Sequence, residues 1–169
     1  MIAIYPGSFD PPTLGHLDII RRSLNIFEKI IIALPEKSFN KNLLFNSESR
    51  IKMLNLMIQE TSTVQIELFD CLLVDFARKK NVKTIIRGIR DTKNFIDENY
   101  MQHANKNLCG KKEIETIFLI SDIKYCYITS SLVKEILTYK HDSNLLKKFL
   151  HPEVINYLKH KNQIPKLFL

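Results

Sequence analysis

The chain of 169 residues has no tryptophan, only four glycines and only three cysteines. So few glycines exclude a collagen-like or linker-like chain. The cysteines, Cys71, Cys109 and Cys126, form no C-x-x-C pair and no Cys/His ligand spacing, so the sequence indicates neither a disulfide framework nor a zinc site. No apolar run approaches the roughly 20 residues that cross a bilayer, and the apolar residues 1–5 are too few for a signal peptide. We therefore expect a cytoplasmic protein with no membrane partner.

Positive charge is in excess: 25 Lys and Arg stand against 18 Asp and Glu, which gives a formal net charge of +7. This excess favours an anionic partner, whether nucleic acid, a membrane surface or a phosphorylated metabolite. The basic residues are scattered, with no RNA-binding aromatic signature and no zinc-finger spacing, so a nucleic-acid-binding module is the less favoured alternative and we expect no nucleic-acid partner. Hydrophobic residues make up 45% of the chain, enough for one core. With no repeat or linker, we predict a single domain over residues 1–169.

Short runs rich in β-branched and aromatic residues predict five strands. These runs are residues 2–5, 29–34, 64–69, 84–86 and 115–120. Segments with helical spacing lie between them, around residues 17–27, 51–58 and 72–80, the last after a possible Asp70 cap. Beyond them, the pattern predicts a helix capped by Thr129 or Ser130 and further helices starting at Ser143 and near Pro152.

This alternation predicts an α/β fold: a Rossmann-like, doubly wound, five-stranded parallel sheet with helices on both faces and a helical C-terminal region. Sheets of this kind bind ligands in a crevice at the carboxyl ends of their strands. We therefore expect the functional residues to follow the predicted strands.

The most informative segment is YPGSFDPPTLGH at residues 5–16, a turn-rich loop between the first predicted strand and the first predicted helix. Gly7 allows a tight turn out of the strand. Gly15 lets a phosphate approach the helix N-terminus, where free N–H groups and the helix dipole favour anions. His16 follows in the first helical turn, where the dipole disfavours the charged imidazole. A neutral N–H donor at this place can stabilise a phosphoryl transition state.

Two further places combine polar side chains with the end of a predicted element. Arg87 and Arg90 follow an apolar strand, and guanidinium groups bind phosphate oxygens through paired hydrogen bonds. Ser130 and Ser131 stand at a predicted helix start, where hydroxyls and backbone N–H groups bind phosphates or cap the helix. The G-x-x-x-x-G-K-[ST] phosphate loop and the G-x-G-x-x-G pattern are both absent from the sequence, which argues against those nucleotide sites.

Taken together, these segments resemble the nucleotidyltransferases with a T-x-G-H or H-x-G-H signature, and among them the phosphopantetheine adenylyltransferases. The matching segments are IYPGSFDP at residues 4–11, TLGH at 13–16, IRGIR at 86–90 and ITSSLVK at 128–134. They occur in the family's order and spacing. The combination is more specific than any one segment.

The resemblance implies transfer of adenylate from ATP to 4'-phosphopantetheine, giving dephospho-coenzyme A and pyrophosphate. Mg²⁺ assists and is expected to be held mainly by the ATP phosphates, with no metal ligands from the protein. The acceptor attacks the α-phosphate directly, so the enzyme supplies alignment and charge stabilisation. The resemblance also implies a homohexamer and feedback binding of coenzyme A in the same cleft.

Residue roles carried over from the family make His16 the transition-state stabiliser, with Lys41 and Arg90 also catalytic. The acceptor is expected to contact Ser8, Lys41, Leu73 and Arg87; Lys37 is a nearby alternative to Lys41. ATP is expected to contact Ser8, Phe9, His16, Gly88, Ile89, Arg90, Glu98, Tyr125, Cys126, Tyr127, Ile128, Thr129, Ser130 and Ser131. The surroundings of Glu98 depart from the family pattern, with Asp97 where tyrosine is common.

Two alternative acceptors belong to the same class of enzyme. Related enzymes adenylylate nicotinamide mononucleotide or transfer cytidylate to glycerol phosphate. Their sequences around the terminal Ser/Thr motif differ from the one found here, which reads close to the phosphopantetheine form.

Overall fold

A computed structural model describes residues 1–37, 42–59, 62–109, 114–139 and 143–160. One parallel sheet contains β1 (Ile2–Pro6), β2 (Lys29–Pro35), β3 (Val64–Phe69), β4 (Thr84–Ile89) and β5 (Glu115–Ile120) in the order β3-β2-β1-β4-β5. The helices are α1 (Leu14–Ser23), α2 (Ser47–Ile58), α3 (Leu73–Lys79), α4 (Thr92–Cys109), α5 (Ser130–Thr138), α6 (Ser143–Leu146) and α7 (Pro152–His160). A short 3-10 helix covers Ile123–Tyr125.

The strand order reverses beside β1. The chain first builds β1, β2 and β3 outward in one direction and then places β4 and β5 on the other side of β1. Ile4 of β1 accordingly pairs with Ile31 of β2 on one side and with Ile85 of β4 on the other. A parallel sheet opens a crevice at such a reversal, outside the carboxyl ends of its strands.

Helices cover both faces of the sheet because its buried strands are apolar on both sides. Along β2, Ile30, Ile32 and Leu34 belong to the core that contains α1, α2, α5 and α7. Ile31 and Ala33 alternate with them and belong to a second core that contains α3 and the end of α4. This alternation confirms the predicted doubly wound α/β fold and its helical C-terminal region.

Some element boundaries differ from those that the sequence predicts. Strand β4 continues through Ile89, three residues past its predicted end, because Arg87 and Gly88 remain paired with Phe118 and Leu119 of β5. Helix α3 follows Leu72 and has no side-chain cap, so the predicted Asp70 cap is wrong. The predicted cap at Thr129 is confirmed: its hydroxyl accepts the Leu132 N–H at 3.0 Å.

Helix α4 is absent from the sequence-based prediction. Its 18 residues have no strong apolar stripe, and Cys109 is its one buried residue. In the described part of the chain, no helix combines the length and the apolar character required to cross a membrane.

Candidate active site

A cleft of about 470 Å³ opens where all five strands end. Each strand contributes at its carboxyl end: Pro6, Pro35, Phe69, Gly88 and, just past β5, Ser121. The cleft therefore lies at the place that the reversal of strand order predicts. Its size is in the ordinary range for a site that binds a small-molecule substrate.

The cleft brings together eight of the residues proposed from sequence. These are Ser8, His16, Leu73, Arg87, Gly88, Arg90, Glu98 and Ile128, which come from β1 through α5. The wall also includes Lys37, the alternative to Lys41, and residues that the sequence did not single out, among them Tyr5, Asn94, Met101 and Ser121. Segments far apart in sequence thus meet around one cavity.

The loop between β1 and α1 is held from several sides. Arg50 of α2 is buried and donates to the carbonyl oxygens of Ser8 at 2.9 Å and Pro35 at 3.2 Å. The buried Asp10 carboxylate accepts the N–H groups of Leu44 and Phe45 at 2.9 and 2.8 Å. These bonds fix the loop that carries Ser8 against the start of α2.

The charges around this loop balance one another. Lys134 of α5 donates to the Asp10 carboxylate at 3.1 Å, and Asp10 is 1% exposed. Burial holds the pKa of the Arg50 guanidinium below its ordinary value, and the negative charge of Asp10 offsets part of that effect. Asp10 therefore stabilises two cations from two different helices.

His16 is oriented by the cap of its own helix. It occupies the third position of α1, where its Nδ1 accepts the Thr13 backbone N–H at 3.0 Å, and the Thr13 hydroxyl lies 3.0 Å from the same nitrogen. A nitrogen that accepts a backbone N–H carries no proton, so the imidazole is neutral with its proton on Nε2. The Phe9 ring packs edge-on against the imidazole with centroids 4.9 Å apart. The ring is thus held in one orientation at the wall of the cleft that it lines.

Two glycines of the cleft differ in what surrounds them. A Cβ atom at Gly88 would lie 3.0 Å from Ile19 Cγ1, so the absence of a side chain lets α1 pack directly on β4. A Cβ atom at Gly15 would meet nothing closer than 3.6 Å. Packing against Ile19 therefore favours glycine at position 88, whereas position 15 has room for a methyl group. The space beside Gly15 belongs to the cleft.

This difference predicts that alanine at position 88 lowers stability, whereas alanine at position 15 lowers activity without lowering stability. We expect Gly88→Ala to lower the free energy of unfolding by roughly 1 to 3 kcal/mol, because the new methyl group overpacks against Ile19. Gly15→Ala should leave stability unchanged or raise it by up to about 1 kcal/mol, since alanine is the better helix residue. It should nevertheless lower turnover at least about tenfold, because the methyl group obstructs anion approach to the helix N-terminus. Urea denaturation and initial rates measure both effects; equal stability losses in the two variants would contradict the assignment.

The two cleft arginines on and after β4 are each engaged by α4. Arg87 forms a paired contact with the Glu98 carboxylate through Nε and Nη2, the latter at 2.7 Å from Oε1, and its Nη1 donates to the Pro6 carbonyl at 3.2 Å. The Arg90 backbone N–H donates to Asn94 Oδ1 at 3.2 Å, and its Nη1 donates to the Ile128 carbonyl at 3.3 Å. Asn94 and Glu98 are four residues apart and share one face of α4.

Residues 125–131 pack against the first turn of α1. The carbonyl oxygens of Tyr125 and Ile128 each lie 3.7 Å from the position of a Cβ at Gly15. The Ser130 hydroxyl donates to the Pro11 carbonyl at 2.8 Å, so the β1–α1 loop holds the start of α5 in place. The Leu132 N–H is also engaged, by the Thr129 hydroxyl, so the donors suited to a phosphate here are the other backbone N–H groups of the first turn and the exposed Ser131 hydroxyl.

Other proposed residues lie at or beyond the margin of the cleft. Phe9 is 0% exposed and has a φ of 46°, so its ring belongs to the core beneath the loop. Ile89 is buried in β4, whereas Cys126 is half-buried and Tyr127 is exposed with its ring edge-on to Phe149. Lys41 lies outside the described residues. Lys37 is described and lines the cleft.

The charge of the cleft is suited to anions. Among its described lining residues, the cations Lys37, Arg87 and Arg90 outnumber Glu98, which already pairs with Arg87. Within the same part of the chain there is no group of three His, Cys, Asp or Glu side chains that could hold a metal ion. Burial raises the pKa of Tyr5, so its phenol remains a neutral donor at the cleft floor.

Two of the residues that sequence reasoning missed belong to α4. Asn94, Glu98 and Met101 line the cleft at helical spacing, although only Glu98 was proposed. The half-buried positions along α4 recur with a helical period, but burial is known only from the structure. The sequence of α4 shows no matching apolar stripe, because this side of the helix faces a cleft rather than a core.

Known proteins of one family are similar to this chain in sequence. The pattern of the family described as cytidylyltransferase-like matches residues 4–136. A phosphopantetheine adenylyltransferase of Aquifex aeolicus is 38% identical over 158 residues, which cover 94% of each chain. The enzymes of that name from Lawsonia intracellularis and Nautilia profundicola are 47% and 44% identical over 83% of this chain, covering 80% and 89% of their own length.

Solved structures show the same fold. The nicotinic acid mononucleotide adenylyltransferase of Plasmodium falciparum in complex with NaAD superposes with a TM-score of 0.71 and covers 96% of each chain. Its sequence is 21% identical, so this likeness concerns the fold alone.

Proposed function

Because the chain belongs to the cytidylyltransferase-like family and, within it, to the phosphopantetheine adenylyltransferases, we propose that it transfers adenylate from ATP to 4'-phosphopantetheine. The products are dephospho-coenzyme A and pyrophosphate. The observation that carries this assignment in the structure is the cleft in which His16, Arg87 and Arg90 meet at the strand ends.

The reaction requires no covalent intermediate on the protein. A phosphate oxygen of the acceptor attacks the α-phosphorus of ATP, and the bond from that phosphorus to the pyrophosphate oxygen breaks. The attacking phosphate is already deprotonated near neutral pH, so no general base is needed. We assign the Nε2–H of His16 as a hydrogen-bond donor to an oxygen of the α-phosphate. This bond stabilises negative charge most strongly in the transition state.

The two substrates are assigned to different parts of the cleft. Arg87 binds the phosphate of the acceptor, with Leu73 along its arm and Ser8 between the two substrates. Lys41 belongs to the same side by its position in sequence. The nucleotide side comprises Arg90, Gly88 and the first turn of α5, whose backbone N–H groups suit phosphate oxygens.

Mg²⁺ is proposed to enter with ATP. Glu98 is the only carboxylate among the described lining residues of the cleft, and it pairs with Arg87. The residues present therefore do not form a protein-ligated Mg²⁺ site. The phosphate oxygens of the nucleotide are the oxygen donors that Mg²⁺ prefers.

On the basis of the family, we extend the proposal to the assembly, the location and the inhibition of the enzyme. It acts as a single domain within a homohexamer, in the cytoplasm where ATP is supplied. Coenzyme A carries the same pantetheine arm as the product, so it is proposed to bind the same cleft as a feedback inhibitor. Gel filtration with light scattering tests the assembly, and competition between coenzyme A and 4'-phosphopantetheine tests the inhibition.

An acceptor panel tests the reaction itself. We expect purified protein with ATP and Mg²⁺ to release pyrophosphate with 4'-phosphopantetheine. Nicotinamide mononucleotide with ATP, and glycerol 3-phosphate with CTP, should release none above background. Turnover with one of those acceptors alone would retain the fold and the role of His16 but refute the assigned substrate. Absence of turnover with every acceptor would refute the proposed activity.

A further inference from the structure

Helix α4 contacts the cleft arginines with two side chains on one face. Asn94 Oδ1 accepts the Arg90 backbone N–H, and the Glu98 carboxylate holds the Arg87 guanidinium through two of its nitrogens. The side chains of Glu98 and Arg87 are 15% and 26% exposed, so the ion pair is largely withdrawn from solvent. Such a pair fixes the plane of the guanidinium far better than a single contact does.

The donors of Arg87 can be counted. A guanidinium has five N–H groups. Glu98 engages one on Nε and one on Nη2, and the Pro6 carbonyl engages one on Nη1. Among the described residues no partner engages the other two N–H groups, one on each terminal nitrogen, so they are the donors that a ligand can use. They belong to a residue that lines the cleft.

We propose that Glu98 is a positioning residue for the acceptor phosphate, which aims the remaining N–H groups of Arg87. The inference rests on the proposed function, and it goes beyond the resemblance, which gives Glu98 a contact with ATP and no role toward the acceptor. Each oxygen of the Glu98 carboxylate accepts one N–H of Arg87, so the pair sets the direction of the guanidinium. Helix α4 thereby contributes to recognition of the acceptor through Arg87 of β4.

The substitution Glu98→Gln tests this role, since glutamine offers one acceptor oxygen and cannot hold both nitrogens. We expect KM for 4'-phosphopantetheine to rise roughly tenfold, with KM for ATP and kcat changed less than about twofold. Glu115→Gln is the matched control, because Glu115 of β5 also pairs with a cation of α4, Lys106, at 3.0 Å. Glu115 lies outside the cleft lining, and its variant should behave like the wild type.

Binding measurements separate positioning from a purely structural effect. In calorimetric titrations without ATP, Glu98→Gln should weaken the binding of 4'-phosphopantetheine. The affinity for pantetheine, which lacks the phosphate, should stay the same. Arg87→Ala by itself should weaken the binding of 4'-phosphopantetheine. Adding Glu98→Gln to that variant should cause no further loss of affinity. Equal loss with both ligands would overturn the proposal.

The change in KM for each substrate in Glu98→Gln distinguishes the possible roles of Glu98. A lower KM for 4'-phosphopantetheine in Glu98→Gln would show that the carboxylate competes with the phosphate for Arg87. A higher KM for ATP alone would show that Glu98 contacts the nucleotide. Either result overturns the positioning role. If the wild-type protein neither binds nor converts 4'-phosphopantetheine, the proposed function fails instead, and the two failures are therefore distinguishable.

Discussion

Replacement of His16 by glutamine is expected to lower kcat by on the order of 10²-fold or more, while KM for either substrate changes little. The physical reason is that the Nε2–H donor interacts most strongly with the charge that develops in the transition state. Glutamine at this position retains an acceptor for the Thr13 N–H, the arrangement of a standard capping box. The folded state of α1 should therefore persist, and the free energy of unfolding should change by less than about 1 kcal/mol. Rapid-quench kinetics of the chemical step measure the effect directly.

A second histidine provides a matched control for this substitution. His151 also caps a helix, where its Nδ1 accepts the Glu153 N–H at 3.4 Å, but it lies outside the cleft lining. His151→Gln should retain full turnover with an equally small change in stability. If His16→Gln preserves the rate of the chemical step, the imidazole has no catalytic role. An activity loss accompanied by unfolding would assign His16 to the helix cap alone.

Replacement of Asp10 by asparagine is expected to lower the free energy of unfolding by about 3 kcal/mol. The carboxylate is buried, accepts two backbone N–H groups and stands beside the cations of Lys134 and Arg50. Asparagine provides one acceptor oxygen, so one N–H group is left without its bond and both cations lose their counter-charge. Chemical denaturation followed by circular dichroism measures this change.

Lys134→Met is the control for the Asp10 prediction. In that variant Asp10 keeps its two backbone bonds and the charge of Arg50, so the loss should be about 1 kcal/mol. Lys134 is 27% exposed, which also reduces the cost of losing the pair. A larger loss in Lys134→Met than in Asp10→Asn would contradict the view that the carboxylate is the centre of this cluster.

The sheet could be predicted because its strands carry their own signal. Buried parallel strands are apolar on both faces, so runs such as KIIIALP stand out from the helices that flank them. The extension of β4 through Arg87 and Gly88 could not be predicted in the same way. Hydrogen bonding to β5 continues the strand past the point where its side chains become polar.

Helix α4 shows the limit of local reasoning. Its residues lack a strong apolar stripe, because one part of the helix faces solvent and another faces a cleft. Periodicity identifies a helix by the core that it buries, so a helix that lines a polar cavity loses that signal. The sequence could suggest Glu98 only through the resemblance, and its contact with Arg87 is visible only in the fold.

The sequence by itself determined the class of fold, the loop at residues 5–16, the helix start at Thr129 and the family to which the chain belongs. Each depends on residues adjacent in the chain, whose propensities and spacing act locally. Only the tertiary structure decided that Arg50 supports Ser8, that Asp10 joins α5 to the start of α2, and that Glu98 holds Arg87. These contacts join residues from 11 to 124 positions apart, and their geometry exists only after the sheet has assembled.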